Sequence, residues 1–153
     1  MKPIEVGSKA PNFTLKDNKE QDITLSDYRE KKVLLSWHPL AWTPVCTDQM
    51  RALENNFETF QKLNTVPLGF SVDPVPCKTA WASAILIKNV SLPSDFWPLG
   101  KVTKDYGIFD EEHGVSQRAN IIIDEEGIVK WVKVYYSGQL PDINEVIQVL
   151  SSM

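Results

Sequence analysis

The stretch Lys32-Val33-Leu34-Leu35-Ser36-Trp37-His38-Pro39-Leu40-Ala41-Trp42-Thr43-Pro44-Val45-Cys46 decides how the rest of the chain is read. Val33, Leu34, Leu35 and Trp37 make its opening an apolar, β-prone run, the pattern of a buried strand. Pro39 and Pro44 then hold an irregular loop. From Cys46 onward, Met50, Leu53, Phe57, Phe60 and Leu63 recur at three- and four-residue spacing, which predicts one helix beginning at the cysteine. A thiol therefore falls on the first turn of a helix, where a strand has just ended. Free backbone N–H groups and the positive end of the helix dipole favour anions there, thiolates included. Cys46 is either a nucleophile or a buried apolar thiol, since free cysteines are among the most buried residues.

Working outward, Asn12–Leu15 and Asp22–Leu25 are short alternating segments that predict a hairpin at the front of the fold. Residues 66–72 predict a second strand, and the Asp73-Pro74-Val75-Pro76 turn opens a helix with Trp81, Ala84 and Ile85 facing inward. Gly100–Tyr106 reads as a short helix closed by Gly107. Residues 120–124 and 128–136, joined by Asp124-Glu125-Glu126-Gly127, form the clearest hairpin, and Pro141 starts a last helix carrying Ile143, Val146, Ile147 and Leu150. This order predicts an α/β protein with a thioredoxin-like fold: a mixed central sheet, helices on both faces and an N-terminal β-hairpin.

Right-handed crossover makes strand 66–72 a parallel neighbour of strand 32–37. Ligands in such sheets bind beyond the carboxyl ends of the parallel strands. Cys46 and Cys77 each follow one of those strands, so both belong at that edge. If strand 120–124 runs antiparallel beside them, Arg118 arrives at the same edge from the far end of the chain.

At 153 residues the chain fits a single domain, 1–153, large enough to bury a core without staples. A net charge of −4 and a pI near 5.2 argue against nucleic acid as the main partner. The first residues lack the apolar core of a secretory signal, and no apolar run is long enough to span a membrane, which together predict a cytoplasmic protein. Two cysteines make neither a disulfide scaffold nor a four-ligand zinc site. There is no Cys-x-x-Cys pair, phosphate loop or dinucleotide fingerprint, so no cofactor or metal is implied.

The chemistry available at such an edge is thiolate attack on a peroxide oxygen, leaving a sulfenic acid. A free thiol of pKa ~8.5 is about 3% ionised at neutral pH, so complete ionisation accelerates it by only about 30-fold. Further rate must come from donors aimed at the oxygens where charge develops. Arg118 offers a fixed fork of donors, Thr43 a hydroxyl, and Pro39 a shield that lacks a competing N–H.

Pro39-Leu40-Ala41-Trp42-Thr43-Pro44-Val45-Cys46 resembles the Pro-x-x-x-Thr-x-x-Cys signature of the peroxiredoxins, with Arg118 where that family carries its active-site arginine. The resemblance runs from about Val6 to the final helix. Ser94–Gly100 and Lys104–Phe109 look most like the AhpE and bacterioferritin-comigratory-protein branches. It implies a thiol-dependent peroxidase with Cys46 as the peroxidatic cysteine, completed by Pro39, Thr43 and Arg118. Gln49 departs from the pattern, because many relatives carry Glu three residues after the cysteine.

Cys77 reads as a resolving thiol that forms an intramolecular disulfide with Cys46, the atypical two-cysteine scheme; the alternative is a spare cysteine at a helix start. The implied partners are a peroxide substrate and thioredoxin or a similar dithiol, with the chain a monomer or homodimer. A one-cysteine cycle resolved by an external thiol, or a redox-sensing interaction protein, uses the same Cys46. His38 reads as a pocket-edge residue and His113 as a loop residue. The two cysteine helices are expected to start on opposite faces of the sheet, further apart than the Cα separation of about 5.5 Å a disulfide needs. Closure then requires the first turn at Cys46, the loop at Cys77, or both to unwind.

Overall fold

The computed structural model describes residues 1–153. Strands β1 (Thr14–Lys16) and β2 (Asp22–Thr24) pair antiparallel as the front hairpin, held by a Thr14–Thr24 hydroxyl contact of 2.8 Å. Next come β3 (Lys32–Trp37), α1 (Pro44–Asn55), α2 (Phe57–Lys62), β4 (Thr65–Phe70) and α3 (Val75–Ala84). The second half carries α4 (Lys101–Asp105), β5 (Phe109–Asp110), β6 (Val115–Ser116), β7 (Arg118–Ile123), β8 (Val129–Tyr135) and α5 (Ile143–Ser151).

The central sheet has the order β4-β3-β7-β8. β3 runs parallel to β4, as expected from the crossover between them, and antiparallel to β7 on its other side. β3 and β7 are buried throughout because both of their faces are covered. On one face Val33, Leu35 and Trp37 meet Phe13, Leu25, Val102 and Tyr106. On the other Leu34 meets Cys46, Met50, Leu53, Phe60, Trp81, Val146 and Leu150. Cys46 and the half-buried Cys77 both pack into this second cluster, so the two cysteine-bearing helices share one face instead of straddling the sheet.

The single helix anticipated from Cys46 to Leu63 differs at both ends of α1. Thr43 is the residue before the helix and Pro44 its first, so Cys46 lies third in the first turn. Proline suits that position because its missing N–H would have no partner there. At Asn56 the helix breaks, since the Asn56 side chain donates to Ala52 O at 2.8 Å and competes with the backbone ladder. The β5–β6 hairpin was not anticipated; strands of two residues are too short to show alternation. α1 lies close on the sheet at Gly69, where a Cβ would overlap Met50 Sδ and Leu92. No helix is long and apolar enough to cross a membrane.

Candidate active site

The carboxyl end of β3, the first turn of α1 and the start of β7 meet at one point. Cys46 is 1% exposed, and Arg118, the first residue of β7, is 3% exposed. Arg118 Nη1 donates to Cys46 Sγ at 3.3 Å and to Gln49 Oε1 at 2.7 Å. The rest of the guanidinium donates to Ser137 O, from Nε at 3.2 Å and from Nη2 at 2.5 Å. The fork is therefore fixed before any substrate arrives, and it presents a cation to the sulfur.

Gln49 explains how the arginine is held. It lies one turn after Cys46 on the buried side of α1, and its Nε2 donates to Ser36 Oγ at 2.8 Å and Trp37 O at 3.1 Å. An amide can donate to β3 and accept from Arg118 at once. An ionised carboxylate can only accept, so a glutamate here would leave Trp37 O facing negative charge.

A cavity of about 230 Å³ opens over this constellation, lined by Pro39, Leu40, Thr43, Pro44, Val45, Cys46, Arg118 and Ser137. Thr43 Oγ1 donates to Leu40 O at 2.7 Å, which fixes the loop in place of capping α1. Pro39 is half-buried at the pocket wall. A larger cleft of about 580 Å³ shares Pro39, Leu40, Arg118 and Ser137 with the pocket and extends to Asp110 and His113. The His113 ring lies 2.8 Å from Asp110 Oδ2, and that carboxylate raises its affinity for a proton.

The chain matches the AhpC/TSA family over residues 6–132. The chain belongs to this peroxiredoxin family. It is 36% identical to the alkyl hydroperoxide reductase E of Mycobacterium tuberculosis, over 91% of each chain. A peroxiredoxin of Thermoplasma volcanium is also 36% identical, over 99% of this chain and 75% of that one. Among solved structures, the reduced 2-Cys peroxiredoxin of Plasmodium vivax superposes with a TM-score of 0.88 at 29% identity, covering 97% of this chain and 81% of that one. The peroxiredoxin is accordingly a peroxidase that takes a peroxide as substrate and electrons from a thiol.

Other residues fall differently from their sequence reading. His38 is fully buried instead of edging the pocket, and its ring packs at a tilt of 48° against Trp81 with centroids 5.1 Å apart. Neither ring nitrogen has a partner. Burial, reinforced by Lys78 and Arg118, lowers its proton affinity well below the usual histidine range, so the ring is neutral and packs as an aromatic. Cys77 lies in the first turn of α3 and is free, as is Cys46, and the two are not at disulfide distance. Burial and then the Asp73 carboxylate push the Cys77 thiol up, against a smaller opposite effect of the Trp42 side chain. Lys78 was missed entirely. It sits beside Cys77 with no exposed surface, and its Nζ donates to Ser71 Oγ at 2.8 Å and Gly69 O at 3.1 Å. A lysine among ordinary helix residues gives no sign of this in the sequence.

Proposed function

We propose that the chain is a single peroxiredoxin domain in which Cys46 is the peroxidatic cysteine and Pro39, Thr43 and Arg118 complete its pocket. The observation that carries this reading is the 3.3 Å approach of Arg118 Nη1 to the buried Cys46 sulfur. The thiolate attacks the terminal oxygen of hydrogen peroxide or an organic hydroperoxide. An S–O bond forms as the O–O bond breaks, sulfur is oxidised to the sulfenic acid, and the hydroxide or alkoxide leaves and takes a proton from solvent. Arg118 and the free N–H groups of the first turn of α1 stabilise the charge that moves onto those oxygens.

Cys77 is the resolving thiol in this proposal. Its sulfur attacks the Cys46 sulfenic sulfur, an S–S bond forms, and the S–O bond breaks; the departing hydroxide leaves as water with the Cys77 proton. Thioredoxin or a similar dithiol then returns two electrons and two protons. We place the protein in the cytoplasm, as a monomer or homodimer. Supporting the intramolecular route is the placement of both cysteines against one apolar cluster, so that closure needs local unwinding and no passage around the sheet.

Intact-mass analysis after one equivalent of peroxide tests the scheme. Wild type is expected to accumulate the Cys46–Cys77 disulfide, and Cys77→Ser a Cys46 sulfenic acid. A stable sulfenic acid in wild type, with turnover unchanged in Cys77→Ser, would instead establish a one-cysteine cycle with an external thiol.

A further inference from the structure

Asp73 is where the two cysteine-bearing segments touch. Its Oδ2 accepts from the N–H of Ala41, on the loop leading to Cys46, at 2.8 Å. Its Oδ1 accepts from the Cys77 thiol at 3.8 Å. Ser71 Oγ donates to the same Oδ2 at 2.6 Å and is itself backed by the buried Lys78 ammonium. Trp42 holds φ at +68°, uncommon for a bulky side chain and kept only where surroundings over-determine it. No hydrogen bond joins this cluster to Cys46 Sγ or Arg118, so it touches neither the attacking sulfur nor the donors to it.

We propose that Asp73 is a latch on the resolving step: it ties the Cys46 loop to the start of α3 and holds Cys77 back as a thiol until the tie opens. The inference rests on the reading of Cys77 as the resolving cysteine. A disulfide needs Cα atoms about 5.5 Å apart, so one or both segments must move before it forms. The Ala41–Asp73 hydrogen bond opposes that movement. The carboxylate also disfavours negative charge on the Cys77 sulfur, the form that attacks. Both effects act in one direction: they prolong the life of the folded pocket and of the sulfenic acid within it. Asp73 is thus a positioning residue whose chemical effect falls on the second step.

Single-turnover mass analysis of Asp73→Asn and Asp73→Ala separates the steps. Both variants are expected to close the disulfide faster once the sulfenic acid has formed, by about fivefold or more. In a Cys46→Ser background, Asp73→Asn is expected to raise the iodoacetamide alkylation rate of Cys77. Closure of the sulfenic acid to the disulfide that is unchanged or slower, whatever the rate of the first step, overturns the latch. A wild type that never forms the disulfide overturns the resolving role of Cys77, while the alkylation rate still judges the latch. Amide exchange on wild type removes dependence on how the variants fold. The Ala41 N–H should be protected in the reduced protein and exposed in the disulfide form; protection that persists in both refutes the latch.

Discussion

Arg118→Met is expected to slow the reaction of Cys46 with hydrogen peroxide by about 10²–10³-fold, the usual cost of removing a preorganised donor at a site of developing charge. Methionine fills part of the buried volume but removes the donors to Cys46 Sγ, Gln49 Oε1 and Ser137 O together. The pH dependence of the defect identifies what the arginine does. If it served only to ionise the sulfur, the loss would shrink steadily as rising pH ionises the thiol without it. Stabilisation of the peroxide oxygens persists after ionisation is complete. Stopped-flow rates of wild type and variant at pH 7 and about pH 9.5 are therefore expected to differ at both values. Arg118→Lys keeps the charge but loses the planar fork, and should fall between the two.

The second large effect concerns Lys78, whose burial pulls its pKa down from 10.5 to about 7 against the opposing pull of Asp73, Cys77, Cys46 and Asp95. The folded state therefore binds this proton less tightly than the unfolded chain. Between about pH 7 and pH 10.5 the unfolded chain carries more of it, so unfolding takes up protons and stability from this group rises with pH. Below the folded pKa both states are protonated and the penalty is constant at its largest; above 10.5 both are neutral and it disappears. Comparison with Lys78→Met cancels the other titrating groups to first order. Wild type is expected to gain stability relative to the variant on going from pH 7 to about pH 9.5, by roughly 2–3 kcal/mol. Urea midpoints at the two pH values measure it; a difference independent of pH would show that Lys78 keeps an ordinary proton affinity.

Much of the framework was legible because its signals are local and repetitive. The apolar run Lys32–Trp37, the spacing from Met50 to Leu53 and the turn at Asp124–Gly127 each specify an element by themselves. The turn is closed by Asp124 Oδ1 accepting from Glu126 N and Ile128 N, both at 2.9 Å. Chain order and handedness then gave β3 its parallel neighbour β4, while the antiparallel pairing with β7 that brings Arg118 beside Cys46 was only a condition until the sheet was seen. What escaped the sequence depends on contacts between distant residues. Gln49 looks like a missing charge until its amide is seen bridging Arg118 to Ser36 and Trp37. His38 looks like a polar pocket residue until Trp81 covers it. Asp73 looks like a turn residue and Lys78 carries no signal at all, and only the approach of Ala41 reveals their link to the loop that leads to Cys46.

The central claim is that Cys46 owes its reactivity to a pocket that acts on the peroxide as well as on the thiol. The most direct measurement is the second-order rate of the reduced wild-type protein with hydrogen peroxide at pH 7, in a single turnover with Cys46→Ser as control. The expected rate exceeds that of a free thiol by well over the factor of about 30 that ionisation allows, and Cys46→Ser abolishes it. A rate within that factor, or one retained in Cys46→Ser, would contradict the account.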